Sequence, residues 1–230
     1  FVALQNSGNY ECYFFIADLH SLSENFDPKE KRAQILNLAV DFFAIGLDPK
    51  KSIIFQQSRI PAHSELASIL YPITPMGELE RMTQYKDKVA NQKENINSGL
   101  FNYPVLMAAD ILMYDTQVVP VGDDQDQHLE LTRTLARKFN ARFGKTFIEP
   151  KGIHTPTPRV MSLTNPSKKM SKSQPESCLF MDDEPKDIEA KIKRAVTDSE
   201  TIIAYDPERR PGISNLLEIK KIRVGNMLPA

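Results

Sequence analysis

The sequence predicts an α/β fold built on a mainly parallel sheet. Three observations point there. Strand-sized runs alternate with longer stretches of helical periodicity along the chain. The first such run, Glu11–Ala17, is apolar and aromatic throughout, as a strand buried on both faces is. The helical stretches carry start and stop residues at their ends.

Each element follows in order. After the Glu11–Ala17 strand, Asp27 is placed to cap a helix and Pro28 suits its first turn. Ala33, Leu36, Val40 and Phe43 recur at three or four residues and share one face, and Gly46 ends the helix. Ser52–Gln56 predicts a second strand. Pro61–Leu70 and Met76–Asn91 predict helices, interrupted by Pro72 and Pro75. In the latter, Leu79, Met82 and Tyr85 form an apolar stripe that suits a homodimer interface or the domain's own core. Pro104–Tyr114 predicts a further helix, Gln117–Val121 a strand, and Asp123–Phe143 a long helix closed by Gly144. Residues 155–175 are irregular and rich in Pro, Ser and Thr. Pro185–Val196 predicts a charged amphipathic helix.

A chain of 230 residues can bury a sizeable core, and its 41% hydrophobic and 26% charged residues are those of a globular protein. No apolar run reaches membrane-spanning length. Cys12 and Cys178 stand far apart without metal-ligand spacing, which fits reduced thiols in a cytoplasm and no protein-bound metal. A net charge of −1 argues against a generally basic nucleic-acid binder, so RNA contact would use local patches.

Lys169-Met170-Ser171-Lys172-Ser173 is the sharpest motif. Two ammonium groups three residues apart, with hydroxyls between, suit a loop that closes over a polyphosphate. The alternative is a solvated basic loop. Asp110 is the single charged side chain within Leu106–Leu112, where a carboxylate is costly unless something donates to it. Tyr103, Met107 and Asp110 share a helical face, offering a ring, a thioether and one acceptor. An indole needs apolar walls and one acceptor for its N–H. Pairing of Asp110 with a core cation is the alternative. Val119-Pro120-Val121-Gly122-Asp123-Asp124-Gln125 runs from strand to helix, with Val119 and Val121 on one side. Gly122 allows close backbone approach, Asp124 can accept from ribose hydroxyls, and Gln125 can hold a charged end of a ligand. Asp123 and Asp124 equally suit a helix N-terminus on dipole grounds.

These stretches, with Gly77–Gln84, Met107–Leu112, Val119–His128 and Pro211–Leu217, resemble the bacterial tryptophanyl-tRNA synthetases, a family of class I aminoacyl-tRNA synthetases. The resemblance runs to about Ile219. It implies a Rossmann-like catalytic domain over residues 1–163 with a helical insertion near 61–103. It implies the lysine-rich loop and the start of a C-terminal helical region over 164–219, leaving 220–230 unassigned. The family's first strand and HIGH-type ATP loop have no counterpart here, so an internal fragment, inactive alone, is expected. The resemblance assigns Asp110 to the indole N–H. Tyr103, Met107, Val119, Val121, Gln125 and His20 go to the tryptophan pocket, and Gly122, Asp123, Asp124, Val160 and the 169–173 loop to ATP. Lys169 and Lys172 stabilise departing pyrophosphate with Mg²⁺, and Lys88 lies near the triphosphate. His20 at a strand end and Lys88 on a helix face have structural readings as well. The implied partners are L-tryptophan, ATP, tRNA(Trp) and a second copy in a homodimer. Tyrosyl-tRNA synthetase and a non-catalytic tryptophan- or nucleotide-binding paralogue are the competing readings.

Overall fold

A computed structural model describes residues 1–23, 25–86, 96–154, 160–171, 174–180 and 182–225, the last five as backbone. The chain divides into two compact units, Phe1–Thr155 and Pro156–Ala230. Residues 160–163, expected with the first domain, lie in the second unit.

The first unit contains two β-α-β crossovers. Strand β1 (Cys12–Ile16) pairs in parallel with β2 (Ser52–Gln56), Cys12 opposite Ser52 and Ile16 opposite Gln56. The Pro28–Ala44 helix connects them. Asp27 caps that helix by accepting from the Lys29 N–H at 2.8 Å, and Gly46 takes φ +102 just past its end. Strand β3 (Val118–Val121) pairs in parallel with β4 (Lys151–His154) through the Asp126–Phe143 helix. All strand pairing is therefore parallel, in two separate pairs among the described residues. Facing stretches of β1 and β3 line a groove of about 370 Å³, walled by Tyr13, Phe15, Tyr114, Val119 and Ile153.

The core is helical. Ala67, Leu70, Leu79, Met82, Val105, Ala108, Ala109, Leu112, Leu131, Leu135 and Ala136 form one buried cluster, drawn mostly from three helices. Each large side chain buried there contributes about 1.5–3 kcal/mol.

Several expectations change. The helix predicted from Pro104 begins at Ser98, with Pro104 inside it. Asn97 caps the true start by accepting the Leu100 N–H at 3.0 Å, and the buried Val105–Leu112 face outweighs the one backbone bond that Pro104 lacks. The Met76 helix stops at Glu80. Gln127 Oε1 accepts the Thr83 N–H at 2.9 Å, the donor a continuous helix would send to Leu79, and a new helical turn occupies 83–86. Leu79 and Met82, 3% and 4% exposed, sit in the core with Tyr85 packed against them. The stripe read as a dimer surface thus serves its own domain. The Leu36, Val40 and Phe43 face is exposed, while Ile35, Ala39 and Phe42 are half-buried. Asp123–Gln125 is a 3-10 turn ahead of the Asp126 helix. Strand β4 went unpredicted because Ile153 is its one large apolar residue.

In the second unit, Met161 forms an antiparallel bridge with Lys169, and the Pro185–Lys193 and Pro211–Gly225 helices follow. Helix Pro211–Gly225 passes so near the chain at Val196 that a Cβ on Gly212 would overlap the Val196 carbonyl oxygen.

Candidate active site

Asp110 lies on the Ser98–Leu112 helix, about half a turn around from the Val105, Ala108 and Leu112 core face. It is 4% exposed, so its carboxylate needs donors. Three are supplied. Gln57 Nε2 donates to Oδ1 at 2.8 Å, His63 Nδ1 lies 2.6 Å from the same oxygen, and His20 Nε2 lies 2.7 Å from Oδ2. A carboxylate offers about four lone-pair sites, so among the described residues one is left, on Oδ2. The three donors arrive from the ends of strands: His20 follows β1, and Gln57 and His63 follow β2. In a parallel sheet those carboxyl ends are where ligands gather.

The same helix carries Tyr103 and Met107, both half-buried and on the Asp110 face. Tyr103 stands edge-on to His20 with ring centroids 6.3 Å apart. Its hydroxyl lies 2.7 Å from His128 Nε2. Burial pushes the Tyr103 phenol up to about 12, so it stays protonated. Burial holds the His128 imidazole below its usual range, against the opposing pull of Asp124. Among the described residues, His128 Nδ1 is buried without a hydrogen-bond partner. With the hydrogen on Nε2, only a bare lone pair faces the apolar interior, which costs less than a buried N–H left unmade.

The expected tryptophan-pocket residues divide between two hollows. Asp110 and Val119 border the groove between β1 and β3. His20 and Tyr103 border a second hollow of about 290 Å³. Met107, Val121 and Gln125 are not among the described linings of either.

Past β3, Gly122, Asp123 and Asp124 are exposed, and Gln125 Nε2 donates to Asp124 at 3.1 Å. Gly122 has an ordinary φ of −84. A Cβ there would come within 2.9 Å of the exposed Asp124 carboxylate, which is free to swing away. Asp123, Asp126 and His154 cluster in solvent, within 4.8 Å of one another, a set able to hold a cation. The His154 nitrogens, however, already face Asp123 at 3.2 Å and Asp126 at 3.1 Å, so both are occupied.

In the second unit Val160 and Met161 run beside Lys168, Lys169 and Met170. Ser162 N–H donates to the Lys168 carbonyl at 2.8 Å, and Met170 N–H to the Val160 carbonyl at 3.1 Å. Asn215, within the Pro211–Leu217 block, clamps Met161 from both sides. Its Oδ1 accepts the Met161 N–H at 2.8 Å and its Nδ2 donates to the Met161 carbonyl at 2.8 Å. The Lys169 side chain is exposed and makes no ion pair among the described residues. Lys172 and Ser173, and Lys88 in the first unit, lie outside the described residues.

Sequence reasoning missed Gln57, His63, Tyr114 and Asn215. His63 had one signal: with Ala67 and Leu70 it falls on the buried face of its helix, where a lone imidazole requires a partner.

The sequence profile described as tRNA synthetases class I (W and Y) matches residues 1–227. The chain is 53% identical to the tryptophan–tRNA ligase of Bacillus anthracis over 223 residues, covering 95% of this chain and 67% of that one. It is 50% identical to the tryptophan–tRNA ligase of Bacillus subtilis over 229 residues, covering 98% and 68%. Among solved structures, tryptophanyl-tRNA synthetase from Campylobacter jejuni complexed with ADP and tryptophan superposes with a TM-score of 0.80 at 37% identity, covering 96% of this chain and 67% of that one.

Proposed function

The chain belongs to the class I tRNA synthetases of the tryptophan and tyrosine type, and on that footing we propose that it forms the central part of a tryptophan–tRNA ligase. The carboxylate of L-tryptophan attacks the α-phosphate of ATP, pyrophosphate leaves, and tryptophan then passes from the adenylate to the terminal ribose of tRNA(Trp). Such phosphoryl chemistry rests on positioning and charge stabilisation rather than on a protein nucleophile. ATP brings Mg²⁺ on its phosphates as part of the substrate. Lys169, Lys172 and Lys88 meet the charge of the triphosphate. Gly122, Asp123, Asp124, Val160 and the 169–173 loop hold the nucleotide. Tyr103, Met107, Val119, Val121, Gln125 and His20 receive the amino acid.

The observation that carries the reading is the Asp110 carboxylate, buried, held by three donors and left with one lone-pair site. An indole has one N–H to offer such an acceptor. The 53% and 50% identities to tryptophan enzymes favour tryptophan over tyrosine, and the tyrosyl-tRNA synthetase of Archaeoglobus fulgidus, at 23% identity, shares the fold. A second copy would dock elsewhere than on Leu79 and Met82, which are buried. Two free thiols support a cytoplasmic setting, and among the described residues no helix is long and apolar enough to cross a membrane.

The test is pyrophosphate exchange in a full-length chimera, residues 1–230 replacing the matching segment of a relative. Asp110→Asn presents an N–H where an acceptor stood. We expect kcat/KM for tryptophan to fall roughly ten- to hundred-fold, with KM for ATP little changed. Unaltered tryptophan kinetics would overturn the assignment.

A further inference from the structure

Asp110 has neighbours that the reaction as described leaves without a task. His63 is 0% exposed, and its two ring nitrogens face two groups: Nδ1 lies 2.6 Å from Asp110 Oδ1, and Nε2 lies 3.0 Å from the Tyr114 hydroxyl. Burial, then the charge of Asp110, hold the Tyr114 phenol above its usual value, so it keeps its proton. The carboxylate only accepts, so His63 Nδ1 carries the hydrogen aimed at Asp110 Oδ1, and in a neutral imidazole Nε2 then accepts the Tyr114 O–H. Gln57, also 0% exposed, is fixed in the same sense. Its Oε1 accepts the Leu19 N–H at 3.1 Å, which turns its amide nitrogen to Asp110 Oδ1 at 2.8 Å. Two buried donors, each oriented by its own partner, thus saturate Oδ1.

We propose that His63 and Gln57 are positioning residues that aim the Asp110 carboxylate, so that the remaining lone pair of Oδ2 selects an amino acid whose ring carries an N–H. The inference rests on the reading of Asp110 as the indole acceptor. With Oδ1 occupied, the carboxylate cannot rotate to present a different oxygen or a protonated face. Among the described residues only Oδ2 keeps an open site, beside the half-buried His20. An acceptor held in this way rejects a ring lacking the hydrogen, because its lone pair then faces nothing it can bond.

The readout is a ratio in the full-length chimera: kcat/KM for tryptophan over kcat/KM for the benzothiophene analogue, in which sulfur replaces the indole N–H. Wild type should favour tryptophan by on the order of ten- to hundred-fold. His63→Phe and Gln57→Met should each cut that preference about tenfold. His63→Asn keeps an amide donor near the Nδ1 position and should retain most of it. Loss of packing alone lowers both substrates together and leaves the ratio where it was. A ratio unchanged in both variants, whatever the fall in activity, overturns the inference while leaving Asp110 as the acceptor. If His63→Phe does not fold, Gln57→Met decides by the same ratio. A wild-type ratio near one sinks the Asp110 reading itself.

Discussion

Asp110 and Lys169 are held in opposite ways. Asp110 is fixed at its charged end: Gln57, His63 and His20 grip the carboxylate. Lys169 is fixed at its backbone, by the bridge to Met161 that Asn215 clamps, and its ammonium is exposed. The difference suits the two tasks proposed for them. An acceptor that recognises a ground-state N–H gains from having no freedom, since nothing is then lost on binding. A cation that follows charge onto a leaving group gains from an anchored root and a mobile head.

Removing the floor beneath Asp110 should have the largest effect. Met82→Glu places a carboxylate in the core that backs the Asp110 helix, and should cost on the order of 4 kcal/mol or more. Urea unfolding followed by circular dichroism should show it. A fully stable variant would return Met82 to the surface role that its sequence spacing also allowed. Lys169→Ala attacks the other side of the contrast. Turnover of adenylate formation should fall about 10²–10³-fold, with KM for tryptophan nearly constant. Single-turnover kinetics separates the two, and a loss confined to tryptophan affinity would erase the distinction drawn here.

Asn215→Ala tests whether the backbone anchor matters. It removes two hydrogen bonds to Met161, worth about 1 kcal/mol each, and should lower turnover several-fold while the lysine itself remains. Equal turnover would show that the Lys169 backbone holds its place without the clamp. The smallest effect concerns His128, whose folded imidazole is less basic than the unfolded value near 6.5. The stability it contributes is complete above about pH 6.5 and is lost as pH falls toward its folded value, because the unfolded chain takes up the proton first. His128→Gln should flatten stability across that window in a pH series of thermal melts.

How much was legible follows from what each feature requires. Strands β1, β2 and β3 were readable because apolar runs ended in turn residues. Strand β4 was not, since Lys151-Gly152-Ile153-His154 has neither the run nor the alternation. Asp110 stood out as an acid in an apolar helix. Its donors did not, because Gln57 and His63 lie 53 and 47 residues away and no local pattern links them. The lysine loop announced itself, but Asn215 was visible only as part of a longer block, and its grip on Met161 spans 54 residues. Sequence pattern reports what a residue needs; it does not say which distant residue meets the need.

The paired strands carry one further consequence, for handling the protein. Each described sheet has two strands, so each leaves edges whose N–H and C=O groups have no neighbouring strand. Tyr13 and Ile53 are exposed on the β1–β2 pair, and Leu36, Val40 and Phe43 expose apolar surface on the helix that joins it. Open edges beside apolar surface template association with other chains. The polypeptide should therefore self-associate as its concentration rises, a trend that sedimentation over a concentration series would measure.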